Sequence, residues 1–380
     1  QKYIFNTNNN GLIQINNDIF TEEEREYLRV NRFWVDDNED EIALLEREIN
    51  HNIQKRQKEL ELTIALTNYC NFSCVYCYQN KNEKLMTTEV ANMIIEKIDR
   101  ILNDNIFEGI NIHYFGGEPL LNIPVLVYLD ENIKKITDKI GIVYKAFLTT
   151  NGSMLSKELL QKVKFSSIQL TFDGLEKTHD RLRVSDHFHF KEEIELIENI
   201  MNFSQAKVLL RTNICKENKD EIIALHKYIF EKFGNERIEI NPNRTIKYHQ
   251  DDSFEMLSVQ EYAEVAYQIK LLWSEQKGKF ELPVPRSTPC KFPYGNAYAI
   301  SPEGYCTFCS GSMDQEKKYF FDVDIENKKM FSVRKECKKC NILPLCLGGC
   351  IIQYNLRAGA CTYEKYELKN ILISYIKHIS

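Results

Sequence analysis

The sequence predicts an α/β chain built on a parallel sheet, with a small N-terminal lead-in and a cysteine-rich C-terminal region. Three observations predict it. From about position 60 to 277, strand-like and helix-like segments alternate six times. Two unusual loops, Cys70-Asn-Phe-Ser-Cys74-Val-Tyr-Cys77 and Gly116-Gly117-Glu118-Pro119, leave the C-terminal ends of the first two strands. After Pro283-Val-Pro285 the composition changes, and eight of the twelve cysteines fall between 290 and 361. The expected divisions are 1–60, 61–280 and 281–380.

The lead-in begins at 3–15, read as a hairpin with Asn10-Gly11 at its turn. Thr21 with Glu24 three residues on is a capping-box signal for a helix. An acidic patch at 35–41 precedes a second, charged helix. In the body, strands are expected near 61–67, 109–115, 142–149, 166–172, 206–213 and 237–242. Helices are expected near 87–104, 123–139, 155–164, 190–203, 219–233 and 258–275. Repeated strand–helix units build a parallel sheet with helices outside. Such a sheet twists or curls, and its ligands gather at the C-terminal strand ends. Later strands end on Thr149-Thr150-Asn151-Gly152, on Thr171-Phe172-Asp173-Gly174 and on Arg211-Thr212-Asn213. An ion pair between Asp173 and Arg183 is expected to order the loop between them. His113, mid-strand, and His179 are expected to be satisfied structural histidines, and Cys215 a buried thiol without a cysteine partner.

Three thiols spaced C-x3-C-x2-C in one tight loop can aim at one point, which suits an iron–sulfur cluster. A zinc knuckle or a group of buried thiols is the alternative. Three ligands leave one iron of a four-iron cluster open, as catalytic zinc sites leave a position open. Paired glycines let backbone approach a ligand closely, and a neighbouring carboxylate can accept hydrogen bonds from an ammonium group. The cysteine loop followed, one strand later, by Gly116-Gly117-Glu118-Pro119 resembles the radical S-adenosylmethionine (SAM) superfamily. That resemblance implies a partial (β/α)6 barrel and a [4Fe–4S] cluster on Cys70, Cys74 and Cys77. It implies SAM chelated on the open iron, with Tyr76 near the adenine. Gly116, Gly117 and Glu118 would receive the methionine amino group, and Thr171 and Arg211 are further candidate SAM contacts.

The C-terminal cysteines carry a second pattern. Cys290-x13-Gly304-x4-Cys309 is followed by Cys337-x2-Cys340-x5-Cys346-x3-Cys350 and by Cys361. One metal site takes four thiolates, so these thiols amount to two sites. The spacing resembles the SPASM domain, the C-terminal extension of one radical SAM branch. By that resemblance Cys290, Cys309 and Cys350 bind a first auxiliary [4Fe–4S] cluster, and Cys337, Cys340, Cys346 and Cys361 a second. Cys306 is an eighth thiol and the natural fourth ligand of the first; without it that cluster keeps an open iron. Structural zinc is the alternative for this array. The resemblance covers about 61–362.

The chain has 380 residues, 43% hydrophobic and 11% aromatic, enough for one large domain and a smaller one. A net charge of −6 and a pI near 5.9 argue against a nucleic-acid binder with a broad basic face. No apolar run has membrane-spanning length and no secretory pattern appears. The chain begins at Gln1, so a lost N-terminal segment is compatible with it. Thiols bunched at short spacings fit metal ligation in a reducing cytoplasm better than disulfides.

The resemblance implies chemistry that begins with reductive cleavage of SAM, by a cluster whose potential can lie as low as about −700 mV. The 5′-deoxyadenosyl radical so formed takes a hydrogen atom from an unreactive carbon. It implies a precursor-peptide substrate and a low-potential electron donor such as flavodoxin or ferredoxin. No membrane and no nucleic-acid partner is expected. Two SPASM branches compete. One converts a sulfatase Cys or Ser to formylglycine; the other matures ribosomally made peptides by thioether or carbon–carbon crosslinks. The sulfatase branch usually has Asp after the cysteine matched by Cys309, where this chain has Ser310. The hairpin-then-helix lead-in resembles the start of leader-peptide recognition modules, although a packing cap on the next domain would look the same. The preferred reading is a peptide maturase, with thioether formation first. An iron–sulfur electron-transfer protein is the alternative of another class. Asp173 and Tyr305 are the only candidate bases, and neither is assigned.

Overall fold

A computed structural model describes residues 2–15, 19–104, 107–234, 237–247, 253–307, 309–311, 318–323, 330–350 and 361–379. The chain divides into two compact units. One comprises Arg56–Ser258 and Gly295–Lys328; the other comprises Gln1–Lys55, Val259–Tyr294 and Lys329–Ser380.

The first unit is a partial (β/α)6 barrel. Six parallel strands lie side by side in chain order: Glu59–Ala65, Gly109–Phe115, Val143–Thr149, Phe165–Thr171, Lys207–Ile214 and Ile238–Arg244. Each falls within two or three residues of its expected position. Their outer faces are apolar, as Leu60, Leu62 and Ile64 on the first strand and Ile110, Ile112 and Tyr114 on the second show, all fully buried. Helices cover them. Thr88–Asp104 buries Ala91, Ile94, Ile98 and Ile101, one stripe at helical spacing. Ile123–Ile140 starts with a proline in its first turn and stops at Gly141, whose φ of 83° is left-handed. The inner faces are polar, with Asn111, His113, Thr149, Gln169, Arg211 and Asn241 in register across neighbouring strands.

Strand Asn296–Ile300, expected with the C-terminal array, lies parallel to the first barrel strand. Tyr305–Thr307 and Lys318–Tyr319 continue that edge in antiparallel fashion, so among the described residues the sheet has nine strands. Asn296, Tyr298 and Ile300 supply the outer-face side chains that continue the Leu60, Leu62 and Ile64 row.

The second unit holds the lead-in and most of the C-terminal cysteines. Its hairpin pairs Lys2–Asn6 with Gly11–Ile15. Asn10 takes the left-handed turn position at φ 64°, and Gly11 begins the return strand rather than sitting within the turn. The Asn9 side chain explains this by accepting the Gly11 N–H at 2.9 Å. Thr21 and Glu24 form the expected capping box on helix Glu22–Val30. Helix Glu41–Arg56 packs Ile49 and Ile53 on Phe331, Val333, Leu343 and Leu347. A helix not foreseen in the sequence, Glu364–Ile379, meets Val259–Lys277 through Tyr267 Oη and Ser374 Oγ, 2.6 Å apart. Among the described residues, no helix is long and apolar enough to cross a membrane.

One buried group gives the barrel an acid sensitivity. His226, on helix Ile222–Phe233, points into the core, with its Nε2 3.3 Å from Thr212 Oγ1. Burial alone pushes its pKa down to about 4. The unfolded chain binds a proton near pH 6.5 that the folded chain refuses, so the stability is complete above that pH and is lost as pH falls toward 4. The loss is about 3 kcal/mol. Urea unfolding at pH 7 and at pH 4.5 should show it, and His226→Gln should flatten the difference. An unchanged pH slope in that variant would assign the effect elsewhere.

Candidate functional site

The first two barrel strands keep pairing beyond their ends. Leu66 N donates to Phe115 O at 2.9 Å, Gly117 N to Thr67 O at 2.8 Å and Glu118 N to Tyr69 O at 2.9 Å. The Gly-Gly-Glu-Pro segment therefore lies flat on the backbone that enters the cysteine loop. A Cβ on Gly116 would stand 2.3 Å from Thr67 O, and one on Gly117 would stand 2.1 Å from Tyr69 O. The glycines allow a close approach as expected, and the partner they approach is the cysteine loop itself.

Glu118 locks a third loop onto this pair. It is fully buried. Its Oε1 accepts from Leu120 N at 3.0 Å and Thr150 Oγ1 at 2.6 Å; its Oε2 accepts from Asn151 N at 2.6 Å. Burial pushes its pKa up, and these donors oppose the push. Asn151 extends the clamp, donating to Asn71 Oδ1 at 2.8 Å and reaching Cys70 Sγ at 3.9 Å. Phe72 N also donates to Cys70 Sγ, at 3.4 Å.

The other end of the cysteine loop is held by the segment after the fourth strand. Ser73–Cys74 pairs antiparallel with Arg183–Val184, with Cys74 directly opposite Arg183. The Arg183 guanidinium stacks 5.4 Å from the Phe72 ring centre. Burial raises the Cys74 thiol to about 11, and the Arg183 charge works against that rise. Tyr76 packs edge-on to Phe254 at 6.5 Å and hydrogen-bonds Asp173 through its hydroxyl. Asp173 Oδ1 also accepts Asn213 N at 2.7 Å. Burial raises the Asp173 pKa, while Arg183 and these donors hold it back.

The expected Asp173–Arg183 ion pair is absent from the described contacts. Asp173 spends its oxygens on Tyr76 and Asn213, and Arg183 turns to Phe72 instead. Thr171 and Arg211 are brought together as directly paired residues of the fourth and fifth strands. Arg211 Nε donates to Asn213 Oδ1 at 2.9 Å. His113 meets Thr149 Oγ1 at 2.8 Å, and His179 lies between Phe172 and Phe190 with Nε2 3.1 Å from Glu193 Oε2, both in structural roles. Cys215 is a buried thiol packed with Leu182 and Phe254, as expected. Sequence inspection placed Asn151 at a strand end without assigning its contacts, and missed both Glu193 and Asn218, whose amide donates to Asp173 O at 2.7 Å and Asn213 O at 2.8 Å. Asn151 and Asn218 follow strand ends, a position that favours loop-ordering amides. Nothing in the local pattern marks Glu193, which sits in a helical run of charged residues.

The C-terminal thiols divide between the units. Cys306 and Cys309 belong to the barrel unit; Cys290, Cys337, Cys340, Cys346, Cys350 and Cys361 belong to the other. Cys306 is 3% exposed and pairs with Ile300, which places it on the outer core face, whereas Thr307 shares the inner face with Ala299 and Thr63. Cys309 Sγ accepts Gly311 N at 3.3 Å. Cys337 and Cys340 pack against the Ile49 cluster, and Cys346 Sγ accepts Gly348 N at 3.4 Å. Leu347, Gly348 and Gly349 are all left-handed, which turns the chain sharply between Cys346 and Cys350.

Among the described residues, no three Cys, His, Asp or Glu side chains already converge as a metal-ligating group. The donor chemistry of the first loop nevertheless fits an anionic thiolate centre. Three thiols share one loop, N–H groups aim at Cys70 Sγ, and a buried guanidinium lies beside Cys74. The Gly117 contact carries a direct test. Gly117→Ala should destabilise the barrel unit by about 1–3 kcal/mol. It should also lower the iron retained after anaerobic reconstitution, measured by denaturant midpoint and iron assay. A variant indistinguishable in both would show that the loop junction is slack.

Comparison with known proteins bears on this geometry. Residues 64–229 match the model of the Radical SAM superfamily. The radical SAM cyclopropyl synthase TigE of Paramaledivibacter caminithermalis is 24% identical over 86% of this chain and 76% of its own length. An uncharacterized Methanocaldococcus jannaschii protein is 34% identical over 30% of this chain, and the match spans only 39% of that protein. Among solved structures, anSMEcpe with bound AdoMet and Cp18Cys peptide has a TM-score of 0.66 at 18% identity, covering 85% of this chain and 100% of that one. Streptococcus suis SuiB bound to precursor peptide SuiA has a TM-score of 0.57 at 17% identity, covering 88% and 84%. The structural likenesses establish the fold, and the family match over residues 64–229, which takes in the cysteine and Gly-Gly-Glu-Pro loops together, marks that region as a radical SAM domain.

Proposed function

We propose that this protein is a radical SAM maturase that crosslinks a ribosomally made precursor peptide, by thioether formation from a peptide cysteine or otherwise by a carbon–carbon bond. The observation that carries it is the clamped junction of the cysteine loop with Gly116-Gly117, in a fold shared with proteins solved with AdoMet and with peptides. TigE, similar over most of this chain, supports the same class.

In this reading Cys70, Cys74 and Cys77 hold a [4Fe–4S] cluster. When bound, that cluster supplies the electron that splits SAM into methionine and a hydrogen-abstracting 5′-deoxyadenosyl radical. The chain's own residues orient the reactants. The Gly116-Gly117 backbone takes the methionine end, with Glu118 fixing that backbone because its oxygens are already spent. Tyr76, steadied by Asp173, lies at the adenine. Thr171 and Arg211 contact SAM from the inner strand faces. Loss of one hydrogen atom, one further electron and the thiol proton leaves the peptide two hydrogens lighter with a new sulfur–carbon bond.

The C-terminal cysteines form a SPASM region with two auxiliary clusters that accept the second electron. Cys290, Cys309 and Cys350 serve one; Cys337, Cys340, Cys346 and Cys361 serve the other. Cys306 faces the core, which favours packing over closing the first set. A low-potential flavodoxin or ferredoxin in the cytoplasm would supply the initiating electron.

The lead-in is the leader-binding element. A groove of about 560 Å³ runs between strand Gly11–Ile15 and helix Glu22–Val30, lined by Ile13, Ile15, Ile19, Phe20 and Tyr27 and edged by Glu23 and Glu24. An extended leader segment can pair with such a strand edge and seat alternate apolar side chains in the groove.

Anaerobically reconstituted protein should hold about twelve irons and form 5′-deoxyadenosine from SAM with dithionite. With Cys-containing peptides encoded by neighbouring genes as candidate substrates, the product should be two hydrogens lighter. Iron without SAM cleavage would leave an electron carrier, and a formylglycine product would place the enzyme in the sulfatase-maturing branch. Cys306→Ala should keep the full iron count; losing iron would make it a ligand.

Ile13→Asp should weaken precursor-peptide binding by about tenfold or more, a loss of roughly 1.4 kcal/mol. SAM cleavage without peptide should be unchanged. Equal peptide affinity, measured by fluorescence anisotropy, would remove the groove from the reading.

A further inference from the structure

Arg183 is a buried cation without a conventional carboxylate partner. It is 6% exposed, its Nε finds no hydrogen-bond partner, and no carboxylate oxygen lies within ion-pair distance of it among the described contacts. Its backbone is the cross-strand partner of Cys74. Directly opposed residues of an antiparallel pair project to the same face, about 5 Å apart at Cβ. The guanidinium therefore shares a face with the central thiol of the loop, and its flat side rests on Phe72, between the first two thiols in sequence. An arginine this deep is costly unless something negative repays the lost hydration.

A second charged group is buried in the same unit. Glu193, on helix Phe190–Phe203, is fully buried, and neither of its oxygens accepts a hydrogen bond of good geometry. Among the described ion pairs it meets His179 Nε2, inside the aromatic box of Phe172 and Phe190. Of the buried carboxylates, Glu193 bears on Arg183 more strongly than Asp173 does. The fold thus buries a cation beside the cysteine loop and an anion in the same unit, both away from water.

We propose that Arg183 is a positioning residue that sets the reduction potential of the centre held by Cys70, Cys74 and Cys77, and that the buried Glu193 carboxylate opposes it. Reduction adds one electron, and one unit of negative charge, to a centre that three thiolates already make anionic. A fixed cation beside Cys74 favours the reduced form and raises the potential; the buried anion lowers the potential again. In the low-dielectric interior neither field is screened by salt as a surface charge would be. The inference rests on the cluster reading of the cysteine loop.

The test is an anaerobic redox titration with dithionite followed by electron paramagnetic resonance, on the fully reconstituted chain. The relevant signal is the one that changes when SAM is added. Arg183→Met, which keeps the bulk and removes the charge, should titrate at lower potential, and Arg183→Lys should recover most of the shift. Glu193→Gln should titrate at higher potential. Opposite signs distinguish an electrostatic role from a packing role, which would give lost signal or broadening without ordered shifts. If Arg183→Met fails to retain iron, Glu193→Gln still decides: an unchanged or lowered potential overturns the proposal. Potentials unmoved in both variants overturn it as well. A chain with no SAM-responsive signal before any substitution overturns the cluster reading, and this inference falls with it.

Discussion

The structure depends on one close backbone contact. Gly116 and Gly117 lie against Thr67 and Tyr69 at distances that admit no side chain, and two N–H groups hydrogen-bond across the gap. In a parallel sheet, neighbouring strands end at the same level, but their loops normally diverge. Here the first two loops are kept together by continued pairing. The cysteine loop therefore inherits the position of the second strand as well as the first. Because the sheet is packed between helices and a polar interior, that position is not adjustable without moving the core.

Two buried carboxylates extend this order outward, each by a different device. Glu118 collects donors from its own short helix and from the third loop, so one side chain joins the second and third strand ends. Asp173 collects Tyr76 from the cysteine loop and Asn213 from the fifth strand, so a second side chain ties the fourth strand end to both. Burial pushes the pKa of both groups up, and the donors aimed at them restrain that shift. The satisfied carboxylates are a reason the loops keep one arrangement, because a lost donor would leave a costly unpaired oxygen. Arg183 and Glu193 stand apart from this pattern as charges that remain partly unspent.

The second unit uses apolar packing where the first uses polar clamps. Ile49 and Ile53 from the lead-in anchor the backbone around Cys337 and Cys340, while consecutive left-handed residues turn the chain before Cys350. The lead-in therefore contributes core to the region that carries the later cysteines. The same segment presents its strand edge and apolar groove on other residues, so core formation and the groove do not compete for side chains.

The sequence by itself determined the element order, the six-strand parallel body, the capping box at Thr21 and the identity of the cysteine and glycine loops. These are local quantities: periodicity, turn chemistry and the spacing of thiols along one loop. The fate of individual polar side chains lies beyond it. Asp173 paired with Tyr76 rather than Arg183, Glu118 turned inward to bind three donors, and Glu193 entered the core from a helix that reads as charged. Strand Asn296–Ile300 likewise left the array it precedes and joined the barrel edge. Each outcome depends on which groups arrive from distant parts of the chain, and a buried carboxylate goes to the donors that surround it. Only the tertiary structure brings those donors together.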